Sequence, residues 1–416
     1  MHALEKILAK ASGSKQVSKG EIVTARVDMA EVNDLYLQVI QSFHKMGASR
    51  VKNPDQVCFV LDHYAPAPTI HSAANQKAMR EFVKEQGIKR LFDINEGVCH
   101  QVMPESGIVY PGMLLVATDS HATTHGAFGA FGTGVGATDL ATILVTGELW
   151  FRVPEIIKIK IDGTPQKGVM AKDMILHIIG KLGPSAAVYK GIEYCGSAVD
   201  QMSVAGRMVL CNMAVEMGAK TSYIQPDDKT IAYVKSKTDR AFQVFATDAD
   251  YQYAGEYEFR IDDLAPQVAK PDHIEDVDSI DHVEPVKIDQ AFIGTCTGGR
   301  VEDIEAAAKI LRGKKVHEGT RLVVIPASKG VFLEALEKGY IAALVEAGAT
   351  ISAPGCGPCL GAHQGILAPG EYCVTTSSRN FPGRMGSTDA KIFCASPATA
   401  AASALEGKLS NPQKYL

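Results

Sequence analysis

Cys356 and Cys359 stand in "APGCGPCLGAH", two residues apart in a run of glycine and proline, with His363 four residues further on. The thiolate is the form of cysteine that attacks and that binds metal. A pair at this spacing suits either a redox dithiol or two corners of a metal site. Cys296 tips the choice. It lies in "FIGTCTGGR", after a short apolar run and among glycines, where a backbone can approach a bulky group closely. A redox pair has no use for a third thiol. Two metal readings then stand side by side. Cys296, Cys356, Cys359 and His363 offer the ligand types of a structural zinc. Alternatively, three thiolates can hold an iron–sulfur cube at three corners, leaving one open iron as a Lewis acid for a hydroxyl and a carboxylate. A Gly-rich turn without ligands is the plain alternative to both.

Acids and histidines recur in three stretches. "LDHYAPAP" holds Asp62 and His63, "EGVCHQVMPESG" holds His100, and "ATDSHATTHGAFGAFGTG" holds Asp119, Ser120, His121 and His125. A carboxylate that fixes an imidazole in one tautomer prepares it for acid–base work. One such histidine is commonly structural, but three near expected strand ends point to a site. "CNMAVEMGAKTS" puts Asn212 and Glu216 one helical turn apart. Glu216 sits in an otherwise apolar helix and needs a partner, for which His121 is a candidate. "TTSSRNFPGRMGS" holds Arg379 and Arg384 among Ser377, Ser378 and Asn380. Guanidinium forks of this kind grip carboxylates.

These residues need elements to position them. "QVCFVLDH", "MLLVATDSH" and "RLVVIPAS" read as buried strands, and "EIIKIKIDG" alternates before an Asp-Gly turn. "NQKAMREFVKEQGI" reads as an amphipathic helix ending at glycine, and "KGVFLEALEKGYIAALVEAG" as a helix after a strand. The alternation predicts an α/β fold with mostly parallel sheets. Boundaries are expected near Val153-Pro154 and in the acidic stretch 268–287, read as a linker. They divide the chain into 1–152, 153–284 and 285–416. The glycine run from Gly126 to Gly136 does not complete a dinucleotide fingerprint, because Asp139 stands where the last glycine belongs. It reads as a close-packed strand-to-helix turn.

The net charge of −5 is too mild to suggest nucleic acid or a charged membrane surface. The N-terminus lacks the apolar core of a signal peptide, and no stretch is long and apolar enough for a bilayer. A cytoplasmic setting is expected, where nine cysteines stay reduced.

With these motifs in order, the chain resembles the aconitase superfamily from near residue 20 to its end. The carrying residues are Asp62-His63, Asp119 to His121, "GTC" at Cys296, "CGPC" at Cys356 to Cys359, and "RNFPGR" from Arg379 to Arg384. In length and motif wording it is similar to the large subunits of the 3-isopropylmalate dehydratase and homoaconitase branch. The resemblance implies three α/β domains packed around one [4Fe-4S] cluster with an open iron, held by Cys296, Cys356 and Cys359. It implies the pairs Asp62 with His63, His100 with Asp119, and His121 with Glu216. It implies cluster and substrate contacts at Asn212, Arg379 and Arg384, with Ser120 and Ser378 inside the matched stretches. Single-chain members carry a further swivelling domain with a serine base and another arginine. This sequence stops at Leu416 without it, so a small partner subunit is expected. The implied reaction is reversible dehydration of a hydroxy di- or tricarboxylate: 3-isopropylmalate first, in leucine biosynthesis, then homoaconitate or 2,3-dimethylmalate. "RVDMAEVNDLYLQV" departs from relatives that carry His-Asp or glutamine there. From other classes, a zinc-stabilised binding protein and a nucleotide-binding oxidoreductase are the alternatives.

Overall fold

The computed structural model describes all residues, 1–416. Its centre for function is a five-stranded parallel sheet. Met29–Asn33 lies in the middle, with Val57–Val60 and Arg90–Phe92 on one side and Leu114–Ala117 and Phe131–Gly134 on the other. The three inner strands are buried along their whole length. That explains their unbroken apolar look: a parallel sheet covered on both faces has no polar side to alternate with. Ala30, Phe59 and Val116 feed one core, while Met29, Cys58 and Ala117 feed another on the opposite face. The chain builds outward on one side of Met29–Asn33, then returns to build on the other. The reversal opens a crevice at the carboxyl ends of the strands, where such sheets bind ligands.

A second parallel sheet joins Thr221–Tyr223, Gly191–Cys195, Ile156–Asp162 and Gly255–Arg260, in that order. Ile156–Asp162 is the alternating strand that "EIIKIKIDG" announces. Gly126 shows how tightly this unit meets the first: a Cβ there would lie 2.2 Å from the Ser222 carbonyl, and within the first unit one at Gly132 would lie 2.2 Å from that of Ala122. The glycine run is close-packed, as the sequence suggests.

The third sheet has seven strands. Its parallel body runs through Lys391–Ala395, Tyr372–Thr375, Gln290–Ile293, Arg321–Val324 and Thr350–Ile351. Two antiparallel strands, Gln267–Ala269 and Val277–Ser279, complete one edge. They correct the linker reading of 268–287, so the third sheet begins at Gln267 rather than after residue 284. Strands of three residues are too short to show a period, and Val268, paired beside Ala395, is buried in the core of the third sheet. The helix expected after "RLVVIPAS" is two, Lys329–Glu337 and Tyr340–Ala347, split by Gly339 in the left-handed region. Ile70–Gln86 is the amphipathic helix, capped by Thr69 and closed at Gly87. No helix is long and apolar enough to cross a membrane.

Candidate active site

Strand ends of the first sheet bring the acids and histidines together. Asp62 and His63 follow Val57–Val60, and Asp119 follows Leu114–Ala117. Between them, Asn33 and Asp34 end the central strand. Asp34 accepts the backbone N–H groups of His63 and Tyr64, each at 2.9 Å, and the Gln76 amide at 3.1 Å. Asn33 Nδ2 donates to Asp119 at 3.4 Å, and Asp28 accepts the Leu114 N–H at 2.8 Å. The segment that departs from the family wording therefore fastens the loops that carry His63 and Asp119. Its next residues, Leu35 and Tyr36, line the cavity.

That cavity holds about 100 Å³. Asp62, His63, His100, Asp119, Ser120 and His121 form one wall. Cys296, Cys356, Cys359, Ser378, Arg379 and Arg384 come from the third sheet and face them. His63 Nδ1 is 2.6 Å from Asp62, His100 Nε2 is 3.0 Å from Asp119, and His121 Nε2 is 2.7 Å from Glu216. Asp62 also accepts the Cys99 N–H at 2.9 Å, which ties the helix bearing His100 to the His63 loop.

Glu216 and Asn212 stand behind the cavity wall. The helix Val204–Asn212 does not run on through Glu216 but tightens into a 3-10 turn, Met213–Met217. The two therefore do not share one α-helical face, as the spacing predicts. Asn212 donates to Thr124 Oγ1 at 2.8 Å, and its Oδ1 is buried without a donor. Glu216 accepts Arg379 Nε with both oxygens, at 2.9 and 3.0 Å. Arg379 Nη2 donates to Ser120 at 3.1 Å, so much of its fork is engaged within the protein. Ser378 Oγ lies 2.9 Å from His121 Nε2. Arg384 approaches Cys359 Sγ at 3.6 Å, and its Nε is buried without an acceptor.

His363 is placed elsewhere. Its Nε2–H donates to the Pro66 carbonyl at 2.7 Å, and it does not line the cavity. The four-ligand zinc set is not assembled. The "GCGPC" turn needs its middle glycine: Gly357 has φ +59°, and a Cβ there would lie 2.2 Å from Ile325 Cδ1.

Burial and mutual charge set the electrostatics. Burial opposes charge on His63, but Asp62 and Asp119 outweigh it and push the imidazole well above its ordinary value. Asp119 is lowered well below the usual carboxylate range, because His100, His121 and His63 overcome its burial. Glu216 is lowered in the same way by His121 and Arg379. Burial raises the Cys296 thiol to about 12, with Cys359 and Asp119 adding to it. Cys359 is lowered, by its hydrogen bond with Cys356 and, against burial, by Arg384.

Two buried residues escaped the sequence reading. Lys172 is 1% exposed, and its Nζ donates to Thr297 Oγ1, the Thr376 carbonyl and the Ser377 carbonyl at 3.1, 2.9 and 2.8 Å. It pins the Cys296 loop and the Arg379 loop to the second sheet's helix Ala171–Leu182. A lysine within "AKDMILHIIG" was the available signal. Glu31, in the central strand, is fully buried with neither oxygen partnered. Burial, with Asp62 and Asp119, raises its pKa well above the ordinary range.

Three histidine–carboxylate pairs face three thiols and two guanidinium groups across one small cavity. Such an arrangement suits acid–base chemistry on small anions beside a group of cysteines. Comparison with known proteins narrows it. The model of the aconitase family (aconitate hydratase) matches residues 5–285 and 276–407. A 3-isopropylmalate dehydratase large subunit from Methanopyrus kandleri is 50% identical over 99% of both chains. A probable methanogen homoaconitase large subunit from Methanothermobacter thermautotrophicus is 48% identical, covering 100% of this chain and 98% of its own. The 3-isopropylmalate dehydratase large subunit of Aquifex aeolicus is 44% identical over 100% and 98%. Among solved structures, aconitase X of Thermococcus kodakaraensis matches the fold, with TM-score 0.51, 14% identity, and 94% and 93% of the two chains covered. The chain belongs to the aconitase family.

Proposed function

We propose that this chain is the large catalytic subunit of a [4Fe-4S] hydro-lyase that interconverts 3-isopropylmalate and 2-isopropylmalate by removing and returning water, a step of leucine biosynthesis. The observation that carries the reading is the single cavity in which His63, His100 and His121, each with its carboxylate, face Cys296, Cys356, Cys359, Arg379 and Arg384. The names of the relatives, 44 to 50% identical over nearly the whole chain, support the substrate and the term large subunit. Homoaconitase is the second reading, because relatives 48% and 49% identical carry that name.

The donor set fits a cluster. Two groups of ligand-type side chains lie within 4.8 Å of one another, Cys99–His100–Asp119 and Asp34–Asp62–His63. In the second group Asp34 and Asp62 accept backbone N–H groups and hold the His63 loop in place. Cys296, Cys356 and Cys359 do not gather that tightly, so they suit a body larger than one ion. Arg384 beside Cys359 offsets thiolate charge. Held by these three cysteines, a [4Fe-4S] cluster supplies a Lewis-acidic iron for the substrate hydroxyl.

The chain's own residues do the rest. His63, kept charged by Asp62 and Asp119, stands at the cavity with a proton to give to the departing hydroxyl. Arg384 and the free Nη1 of Arg379 offer donors to carboxylates. Glu216 and Ser120 hold Arg379 in place, and Ser378 with His121 closes that side. The base that removes the carbon-bound proton comes from a small subunit, which also completes the pocket.

The test is anaerobic reconstitution with and without the co-expressed small subunit, followed by assays on 3-isopropylmalate, homoaconitate and 2,3-dimethylmalate. A brown protein carrying iron and sulfide, active on 3-isopropylmalate only with its partner, is the expected result. A colourless zinc protein, or tight nicotinamide binding without dehydration, overturns the reading.

A further inference from the structure

We infer that His125 is a positioning residue for the dehydration and acts through His100: its ring N–H serves His100 Nδ1 and so keeps the His100 proton on Nε2, toward Asp119. The inference rests on the hydro-lyase reading above and gives a task to the second histidine of "DSHATTH".

Burial comes first. His125 lies in the 3-10 segment Ser120–Phe128, is 0% exposed, and neither ring nitrogen has a partner in the protein. Burial, with His100 beside it, pushes the imidazole well below its ordinary value, so the ring is neutral. A neutral imidazole has one N–H donor and one bare acceptor. Buried polar groups are normally satisfied, and an apolar ring would fill this space without the penalty. The fold also makes room for the ring: a Cβ at Gly132 would lie 3.0 Å from His125 Cβ.

The neighbour supplies the second observation. The rings of His125 and His100 pack with centroids 5.7 Å apart and planes at 63°. His100 Nε2 is 3.0 Å from Asp119, whereas its Nδ1 is buried without a partner. Asp119 is ionised, because the histidines around it overcome burial, so it accepts. The proton of His100 is then on Nε2, and Nδ1 is a bare acceptor. A donor and an acceptor that both lack partners thus sit on adjacent packed rings. A small rotation closes the hydrogen bond, and such bonds tighten when a site is assembled. His121 also packs on His100, at 6.3 Å, but its nitrogens are turned to Glu216 and Asp119.

The hydrogen bond made by one ring nitrogen decides which nitrogen holds the proton. Held at Nδ1 as well as Nε2, the His100 ring keeps its N–H on Asp119. Asp119 Oδ2 lies 3.5 Å from His63 Nε2, so the same order reaches the proton donor.

The experiment uses the assembled two-subunit enzyme, reconstituted anaerobically, with its large chain labelled with 15N-histidine. His125→Phe keeps a ring and removes both nitrogens, and His125→Leu removes them with less bulk. His125→Asn and His125→Gln place an amide N–H near the positions of Nδ1 and Nε2. On 3-isopropylmalate, the Phe and Leu variants are expected to lower kcat about tenfold, with KM within about threefold. Either the Asn or the Gln variant should recover most of that loss. Ring spectra, with His100 assigned from His100→Gln, should show a hydrogen-bonded Nδ1 in wild type that loses this bond in the Phe and Leu variants. A kcat within about twofold of wild type in both apolar variants overturns the positioning role. A fall in kcat with unchanged His100 signals and no rescue marks His125 as structural and also overturns it. A wild type inert toward every hydroxy acid breaks the hydro-lyase reading, and the ring spectra then decide the pairing of His125 with His100 by themselves.

Discussion

Replacing Lys172 with methionine tests whether the cysteine loops are held from behind. The methionine keeps most of the side-chain volume, so no large cavity opens. Three acceptors lose the ammonium, and they do not lose equally. Thr297 Oγ1 remains bonded to the Thr376 carbonyl at 2.7 Å, so each of those two keeps a partner. The Ser377 carbonyl is left without its 2.8 Å donor. One orphaned buried carbonyl costs about 1–3 kcal/mol, and two further lost hydrogen bonds about 0.5–1.5 kcal/mol each. Relief from burying a charge offsets part of this. A net loss of about 2–4 kcal/mol follows, which for a chain of 416 residues lowers the thermal midpoint by about 2–5 °C. Function falls for a separate reason. Thr297 follows Cys296, and Ser377 precedes Ser378 and Arg379, so both loops loosen at once. The assay pairs anaerobic calorimetry with iron per chain after desalting. A Lys172→Met protein that melts within about 1 °C of wild type and retains the same iron refutes the reasoning.

Further expectations follow from the same geometry. Cys296→Ser, Cys356→Ser and Cys359→Ser should each abolish activity and lower bound iron, whereas Cys373→Ser, buried in a strand away from the cavity, should keep its iron; full iron in a ligand variant sinks the ligand assignment. His63 donates as the imidazolium, and Asp62 helps raise its pKa against burial, so the alkaline limb of the rate profile should lie above the ordinary histidine value. Asp62→Asn should move that limb toward lower pH, and a limb that stays put contradicts the pairing. The same raised imidazole contributes stability that is fully present at low pH and is lost as pH rises through the folded value. Glu31 has the opposite sign. Its raised carboxyl means that the folded state binds the proton more tightly, so it costs stability once pH exceeds its unfolded value. Glu31→Gln should therefore raise the melting temperature more at pH 8 than at pH 5, and an equal rise at both removes Glu31 from the account. The large chain alone should show negligible turnover and gain it on adding the small subunit; substantial activity from the chain alone would place the base within it.

Much of the site was legible because its residues lie in compact stretches. A cysteine framed by glycines, an acid beside a histidine, and two arginines in a Gly/Pro loop each stand out as costly or unusual local choices. The same holds for Ile70–Gln86, whose cap and closing glycine are neighbours in sequence. Short elements were less legible. Gln267–Ala269 and Val277–Ser279 carry no period of their own and exist because a sheet edge is there to receive them. Gly339 divides a continuous apolar pattern into two helices by its backbone angle, which periodicity does not reveal.

The sequence by itself determined the chemical inventory: thiols, imidazoles, carboxylates and guanidinium groups, the α/β alternation, and the family wording of the motifs. Tertiary structure decided who faces whom. His121 and Glu216 are 95 residues apart and meet at 2.7 Å. Arg379 proved to be held by Glu216 and Ser120 as much as free for a ligand. His363, seven residues from Cys356, turned away to a carbonyl of the first sheet's loop. Lys172 looked like an ordinary helix residue and became a buried anchor because two distant loops presented carbonyls to it. The reason is physical. Local sequence sets which hydrogen-bonding groups exist, but their partners are chosen when desolvation forces every buried donor and acceptor to find one, and that choice is made across sheets that the chain brings together only when folded.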